Sequence, residues 1–257
     1  MQRFVFMILS CPILLAVPFA TAEDKDFLVL ESYTDKGVPK FVDGDVKLAR
    51  LECSPASTFK VVIAWAGLET GTVTLDTKIE VGDRHIKGTP RELNLRQALY
   101  YSSNDFFITL AQKIGKAELT QYVERSGMFR GEIPADWLGD EWRPVIKGGE
   151  LLTTPMQNHL FMRRVAFSQL TENRQAGKDL IRALNWPTSH PMIQLYGKTG
   201  VWGGAVWYNG FGIKQRHRRV RTVFMQGNIE RRIPAIMTFY RGWDIAWSSG
   251  LNQKVEE

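Results

Sequence analysis

The sequence predicts an α+β fold in which one antiparallel sheet is built from both ends of the chain. Strand patterns occur near the start and again in the last quarter, and helix patterns dominate the middle. Strands on both sides of a helical block favour a shared sheet with the helices packed as a second region. The chain has 257 residues, of which 44% are hydrophobic and 23% charged, as expected for one large domain.

Met1–Ala22 differs in composition from everything that follows. Arg3 is its only charge, a nearly continuous apolar run follows, and Ala20–Ala22 is a small-x-small cleavage signature. This pattern is typical of a secretory signal peptide, and the apolar run is short for a helix that spans a bilayer. We therefore expect a signal peptide over 1–22 and one mature domain over 23–257. The mature protein should be secreted or periplasmic, without stable membrane insertion after cleavage.

The elements at the start of the mature chain are short. Phe27–Ser32 reads as a strand, and a turn then leads to an extended piece at Pro39–Val42, which predicts a hairpin. Val61–Leu68 is almost entirely apolar and indicates a buried helix. Ser54 and Pro55 precede that helix and suit a turn, because proline fixes φ and donates no hydrogen bond.

The helical middle begins with two runs inside Asn94–Ile114. The runs are separated by Tyr100–Asp105, whose serine, asparagine and aspartate side chains favour a turn or cap. Met128–Gly149 contains two prolines and four glycines, which predicts a long loop. The other predicted helices are Ala117–Arg125, a helix capped by Thr154-Pro155 and continuing through Arg164, and Asp179–Leu184.

The pattern then changes to alternating or continuous apolar runs, which predict strands. The predicted strands are Ile193–Tyr196, Val201–Trp202, Ala205–Ile213, Val220–Gln226 and, more weakly, Ile233–Ile236. Gly203-Gly204 and the basic run Lys214–Arg219 should form hairpin turns, and Gly242–Leu251 should close the chain as a helix.

Net charge is +6, partly concentrated in Lys214–Arg221. A basic balance favours anionic substrates and anionic surfaces. No aromatic side chain interrupts this basic run, so base stacking is not indicated and we expect no nucleic-acid partner. We interpret the run itself as a solvated, charged hairpin turn, with a surface for anions as the alternative. Removal of the signal peptide leaves Cys53 as the only cysteine, which excludes an internal disulfide and indicates a packing residue.

The chemistry centres on Ser57-Thr58-Phe59-Lys60, a Ser-x-x-Lys at the start of the apolar helix. Residues three apart share a helix face, so the Ser57 hydroxyl should lie beside the Lys60 amine. A serine needs a base to become a nucleophile, and burial lowers the pKa of a lysine so that it can be that base. A lone Ser-x-x-Lys is also compatible with an ordinary surface helix.

Two further motifs make this pairing more specific. Ser102-Ser103-Asn104 is a Ser-x-Asn in the turn between two helices, and Lys198-Thr199-Gly200 lies in a strand. The order Ser-x-x-Lys, Ser-x-Asn, Lys-Thr-Gly is the motif set of serine β-lactamases and penicillin-binding proteins.

This motif set gives each candidate residue a chemical role. Ser57 would attack a carbonyl and Lys60 would accept its proton, while Ser102 would relay a proton to the leaving nitrogen. Asn104 would hydrogen-bond a substrate amide. Lys198 and Thr199 would bind a carboxylate. The N–H groups of Ser57 and Val201 are candidates for an oxyanion hole, and Gly200 would let the strand backbone come close to substrate.

Longer stretches resemble class D (oxacillinase-type) serine β-lactamases. RLECSPASTFKVVIAWAGLETG carries the family's Ser-Pro-x-Ser-Thr-Phe-Lys followed by Gly-Leu-Glu-Thr-Gly. LNLRQALYYSSN, AQKIG and YGKTGVWGG are similar to the second and third motif regions. The resemblance runs from about Phe27 to Trp247. It implies a β-lactamase/transpeptidase-like fold with Ser57, Lys60, Ser102 and Lys198 at active-site positions.

Two departures bear on turnover. Class D enzymes usually have a hydrophobic residue where this chain has Asn104, and asparagine there is more typical of penicillin-binding transpeptidases. The family's lysine usually carries a CO₂-derived carbamate, so we expect either no cofactor or that carbamate on Lys60. A tryptophan normally bonds the carbamate. Trp137 or Trp142 could take that place, and loop packing is the alternative for both.

We therefore expect a serine acyl-enzyme that hydrolyses β-lactams. The first alternative is a penicillin-binding, transpeptidase-like protein that acylates but deacylates slowly. The second is a non-catalytic envelope-binding domain. The substrate would be a β-lactam or a molecule resembling a peptidoglycan stem peptide. The four histidines lack metal-ligand spacing, so no metal is expected. The sequence leaves the oligomeric state open.

Overall fold

The computed structural model describes residues 25–249. The predicted signal peptide lies outside these residues. Within them, no helix combines the length and the apolar composition that a membrane crossing requires.

Eight strands and seven α-helices make up the described part of the chain. The strands are β1 (Phe27–Ser32), β2 (Lys40–Gly44), β3 (Ile79–Val81), β4 (Arg91–Leu93), β5 (Asn185–Trp186), β6 (Ile193–Trp202), β7 (Ala205–Lys214) and β8 (His217–Gln226). The helices are α1 (Lys60–Glu69), α2 (Leu95–Tyr101), α3 (Asn104–Ile114), α4 (Lys116–Ser126), α5 (Pro155–Ala166), α6 (Arg174–Ala183) and α7 (Arg232–Arg241). Short 3₁₀ helices cover Val46–Arg50, Ala56–Phe59, Arg143–Lys147 and Ile229–Arg231.

The main sheet has six strands in the order β2-β1-β8-β7-β6-β5, and every neighbouring pair is antiparallel. Strands from the start of the chain therefore pair with strands from its end, which confirms the α+β prediction. The N-terminal hairpin is confirmed as β1 and β2. A separate pair, β3 with β4, lies within the helical part of the sequence.

The sheet is covered on both faces, because successive side chains of a strand point to opposite sides. On β7, Val206 and Tyr208 pack in the same apolar cluster as Ala235, Ile236 and Phe239 of α7. Phe211, on the other face of β7, packs in the large cluster that contains the helical region.

Helix α1 runs through the centre of that large cluster. Nine of its ten residues are buried, from Lys60 to Leu68. A helix that is apolar on all sides needs neighbours on all sides, and α1 contacts α2, α3, α4 and α6. The only charged member of the buried run, Lys60, is the first residue of the helix. The fold therefore places one lysine at the boundary between core and surface.

Three predictions for the end of the chain were wrong. The two short strands proposed around the Lys-Thr-Gly are one continuous strand, β6, hydrogen-bonded to β7 over its whole length. Ile233–Ile236 belongs to helix α7. Pro234 sits in the first turn of α7, where its missing N–H costs no helical hydrogen bond. Residues 242–249 are not α-helical, and the end of the predicted closing helix lies outside the described residues.

The basic run is only partly the solvated turn that was predicted. The turn itself is Gln215–Arg216, and β8 begins at His217. Arg219 lies 4.0 Å above the Trp243 ring, and Arg221 pairs with the buried Glu31. Arg219 and Arg221 therefore contribute to the packing of β1, β8 and the segment after α7, whereas Lys214–His217 at the turn are exposed.

Candidate active site

A cleft of about 420 Å³ lies where the 3₁₀ turn before α1, the α2–α3 turn and strand β6 meet. Six of the eight predicted site residues line it, and Lys60 and Lys198 lie beneath it, fully buried. The lining residues are Ala56, Ser57, His85, Tyr101, Ser102, Asn104, Ile146, Lys147, Thr199, Gly200, Val201, Trp202, Ile229 and Arg232.

Ser57 lies in a 3₁₀ turn rather than in the first turn of α1. Strand β6 passes close to this turn, since a Cβ added to Gly200 would stand 3.0 Å from the Ser57 nitrogen. That distance is shorter than ordinary van der Waals contact. Glycine is therefore what allows the strand backbone to approach the serine backbone. The close approach to substrate expected for Gly200 stays a prediction.

The Lys60 amine lies among three oxygen atoms. It is 2.7 Å from the Ser102 carbonyl oxygen, 3.2 Å from Ser102 Oγ and 2.7 Å from Asn104 Oδ1. Burial lowers the pKa of Lys60 to about 7, and the negative charges of Asp83 and Asp105 offset part of that effect. No hydrogen bond joins Lys60 to the Ser57 hydroxyl among the described residues, so the amine contacts the second motif instead.

The second motif is held in place by a buried carboxylate. Asp83 accepts hydrogen bonds from Ser103 Oγ, from the Asn104 N–H at 2.9 Å and from the Asp105 N–H at 3.3 Å. Ser103 also caps α3 through the Phe106 N–H. The turn needs this support because Ser102 adopts a left-handed conformation, with φ of 60°, which is unfavourable for a residue with a Cβ.

Two successive residues of β6, Lys198 and Thr199, point to opposite sides of the strand and meet different partners. Lys198 points to the helical side, and its amine donates to Ser102 Oγ at 2.9 Å. Burial lowers the pKa of Lys198, and the nearby charges of Lys60 and Arg232 lower it further. Thr199 points to the other side, where its hydroxyl lies 3.4 Å from the Arg232 guanidinium of α7. Ser102 Oγ therefore stands between two lysine amines.

The tryptophan expected beside Lys60 is engaged elsewhere. The Trp137 indole N–H donates to Thr120 Oγ1 at 3.0 Å, and its ring packs against the Phe59 ring at 5.7 Å. Trp142 packs half-buried at the edge of the large apolar cluster. The loop-packing interpretation therefore describes both side chains.

Sequence reasoning missed two residues of the site. Arg232 was missed because the segment that follows it was interpreted as a strand. In the structure Arg232 begins helix α7, and its guanidinium faces Thr199. Asp83 escaped because a single aspartate in a loop carries no motif. Residues 25–249 contain no cluster of three or more histidine, cysteine, aspartate or glutamate side chains placed to hold a metal ion.

Known proteins resemble this chain in sequence. Residues 30–166, just over half of the chain, match the model of the penicillin binding protein transpeptidase domain. Beta-lactamase OXA-11 of Pseudomonas aeruginosa is 27% identical over 186 residues, which cover 66% of each chain. Beta-lactamase OXA-19 of the same species is 28% identical over 178 residues, covering 63% of each chain. The chain thus spans slightly less than two thirds of the length of these relatives.

Solved structures share the fold. The BPu1 beta-lactamase superposes with a TM-score of 0.74 at 19% identity, covering 88% of this chain and 95% of that one. The class D beta-lactamase YbXI from Nostoc gives 0.72 at 22% identity, covering 85% and 91%. At these identities the likeness concerns the fold, and the matched family model extends over the first two motifs. This chain therefore belongs to the penicillin-binding protein transpeptidase domain family, with the fold of the class D β-lactamases.

Proposed function

We propose that this protein is a serine hydrolase that opens β-lactams through an acyl-enzyme on Ser57. The observation that carries the proposal is the Lys60–Ser102–Lys198 arrangement beside Ser57, in which two buried amines share one hydroxyl at 3.2 and 2.9 Å. The similarity to beta-lactamases OXA-11 and OXA-19 supports the choice of substrate.

The first chemical step is attack of Ser57 Oγ on the lactam carbonyl. Lys60 is the base, because a pKa of about 7 leaves much of the amine neutral near neutral pH. The proton then has a route to the leaving nitrogen through Ser102 Oγ, which contacts both amines. The backbone N–H groups of Ser57 and Val201 are the proposed oxyanion donors, and both residues line the cleft.

The substrate carboxylate would bind at the Thr199 end of the cleft. Thr199 and Arg232 meet there at 3.4 Å, and Lys198 lies beneath. A guanidinium and a hydroxyl together suit a planar carboxylate. Asn104, at the other side of the cleft, already gives its side-chain oxygen to Lys60, so its amide N–H₂ is the part left for a substrate carbonyl.

The surroundings of Lys60 suit a free amine better than a carbamate. Two of its three neighbours, the Ser102 carbonyl and Asn104 Oδ1, can only accept hydrogen bonds. A carbamate nitrogen keeps one N–H and could not satisfy both oxygens, and the Trp137 indole is committed to Thr120. We therefore propose that Lys60 works without carboxylation.

The second candidate function is a penicillin-binding protein that acylates and then deacylates slowly. The contact between Asn104 and Lys60 favours it, because that contact removes the apolar surroundings in which a carbamate would form. The two candidates share the acylation step and differ only in the fate of the acyl-enzyme.

One experiment separates the candidates. The purified protein is mixed with a chromogenic cephalosporin while colour and intact mass are followed together, with Ser57→Ala as the matched control. Sustained colour that does not increase with added bicarbonate is expected for a hydrolase with a free Lys60 amine. One equivalent of colour with a stable mass adduct identifies the slow acyl-enzyme, and increased turnover with bicarbonate contradicts the free amine. If neither colour nor a mass adduct appears, the proposed acyl-enzyme chemistry itself is overturned.

We also propose that the protein is exported through cleavage of the signal peptide after Ala22. The composition of Met1–Ala22 supports this. Intact mass of the protein recovered from the cell envelope is the test, and retention of the first 22 residues would contradict it.

A further inference from the structure

The turn that carries Ser57 is strained and needs support. Ala56 has a positive φ of 49°, a conformation that is unfavourable for a residue with a Cβ. Inside the turn, Thr58 Oγ1 and the Thr58 N–H both donate to the Pro55 carbonyl, at 2.6 and 3.1 Å. The Thr58 hydroxyl therefore donates its only proton to Pro55, and its oxygen can only accept further hydrogen bonds.

Asn158 of α5 donates a hydrogen bond to the Thr58 hydroxyl oxygen. Its side-chain Nδ2 donates to Thr58 Oγ1 at 2.9 Å, and both residues are buried with at most 1% of their surface exposed. A buried hydrogen bond between fixed partners is well aligned and costly to lose. The residue next to the nucleophile is thus tied to a helix that lies outside the cleft.

Asn209 of β7 determines which way the Asn158 amide faces. Asn209 Nδ2 donates to Asn158 Oδ1 at 2.6 Å and to the Asn158 backbone carbonyl at 2.8 Å. With its oxygen held by Asn209, Asn158 must present Nδ2 to Thr58. Asn209 is also the direct cross-strand partner of Lys198. The three side chains Thr58, Asn158 and Asn209 therefore connect the Ser57 turn to the strand register at Lys198.

The connection extends away from the cleft in one hydrogen-bonding direction. Thr222 Oγ1 donates to Asn209 Oδ1 at 2.6 Å, so it must accept from His159 Nδ1, which lies 2.8 Å away. His159 Nε2 then accepts from Ser32 Oγ at 2.8 Å. Every hydroxyl and amide in the chain of hydrogen bonds has a single consistent orientation, and all of these side chains are buried.

We propose that Asn158 and Thr58 are positioning residues that hold the Ser57 hydroxyl in attacking position relative to Lys198 and the oxyanion donors. The inference rests on the proposed acylation of Ser57. Neither residue touches the substrate or carries charge, so loss of their hydrogen bond should slow the acylation step while leaving substrate binding and the titration of Lys60 unchanged.

The test uses single-turnover acylation of the full chain by a chromogenic cephalosporin, with the maximal rate and the binding constant obtained separately. Thr58→Val and Asn158→Leu each remove the hydrogen bond at nearly constant volume and without introducing a charge. Each should lower the maximal acylation rate by about tenfold or more, with the binding constant within about twofold, because misplacement of a nucleophile affects the rate and not the binding. The pH midpoint of the rate should not move.

Thr58→Ser keeps the hydroxyl and loses only the methyl group, so its acylation rate should stay close to that of the unmodified protein. If Thr58 acted only through stability, this variant should be slow as well. Ser32→Ala is the matched control at the far end of the same network, where stability should fall while the acylation rate stays unchanged. If Asn158→Leu does not fold, Thr58→Val and Thr58→Ser still decide the matter. Unchanged rates in folded Thr58→Val overturn the inference. Absence of labelling in the unmodified protein overturns the proposed function as well, so the two failures are distinguishable.

Discussion

At the residue scale, Lys60 has hydrogen-bond partners for both of its protonation states. An ammonium can donate to all three surrounding oxygens, whereas a neutral amine can donate to the Ser102 carbonyl and Asn104 Oδ1 and accept from the Ser102 hydroxyl. A base that gains and returns a proton in each cycle needs such surroundings. Ser102, which can act as donor or acceptor, is the partner that lets the site alternate.

The pH dependence of acylation follows from this site. Burial lowers the pKa of Lys60 to about 7, so the protonated, inactive form should dominate below that pH. The acylation rate should fall about tenfold per pH unit below the midpoint and reach a plateau above it. Single-turnover rates between roughly pH 5.5 and 9 measure the curve.

Asn104→Val is the matched variant for this profile. It removes an oxygen that stabilises the ammonium, so the midpoint should move to lower pH, by about one unit. A midpoint near the ordinary pKa of lysine in the unmodified protein, or no movement in Asn104→Val, would contradict the role of Lys60 as a tuned base.

Arg232 should govern the binding of the substrate carboxylate. Arg232→Ala removes the guanidinium beside Thr199, and loss of a charged hydrogen bond should weaken binding by about tenfold to hundredfold. The measurement compares a cephalosporin with its carboxylate methyl ester in both proteins. The ester should bind the two proteins almost equally, and an equal loss for acid and ester would show that Arg232 acts through packing instead.

At the element scale, the conformation of the α2–α3 turn depends on a residue from outside the two helices. Asn94 caps α2 with a full capping box and Ser103 caps α3, so both helices are well defined by their own sequences. The left-handed residue between them, Ser102, is fixed only when Asp83 binds the first N–H groups of α3. A loop after β3 therefore sets the position of the Ser102 hydroxyl.

Asp83→Ala should lower stability and alter the site together. Loss of a buried acceptor for three donors should reduce the free energy of unfolding by about 2–4 kcal/mol. The negative charge of Asp83 also raises the pKa of Lys60, so the acylation midpoint should shift to lower pH. Urea unfolding and the pH–rate profile measure the two effects. The exposed Asp136→Ala is the control and should change neither, and a stability loss without a midpoint shift would limit Asp83 to a structural role.

At the scale of the whole molecule, local patterns in the sequence predicted the sheet built from both chain ends and the three motifs that meet in the cleft. They could not predict α7, because Ile233–Ile236 reads equally well as a strand or a buried helix when only apolar runs are considered. Arg232 was lost with that error. Asp83, Asn158 and Asn209 were not predictable either, since their contacts cross 20 to 100 residues of sequence.

The same buried network makes the stability of the whole molecule depend on acid pH. His159 lies fully buried between Ser32 and Thr222, and burial lowers its pKa from 6.5 to about 3, with the charge of Arg163 contributing. The folded protein therefore keeps the ring neutral where the unfolded chain binds a proton. Stability from this residue is complete above pH 6.5 and is lost as the pH falls toward 3, by up to about 1.4 kcal/mol per pH unit.

His159→Gln should reduce that slope, because an amide can keep neighbouring hydrogen bonds without titrating. The measurement is the free energy of urea unfolding at several pH values from about 7 down to 4. His217→Gln, at an exposed histidine, is the control and should retain the slope of the unmodified protein, which includes the carboxylates common to both variants. If both variants lost stability equally steeply in acid, the pH dependence would come from those carboxylates. The neutral His159 ring would then make no contribution to the pH dependence of the free energy of unfolding.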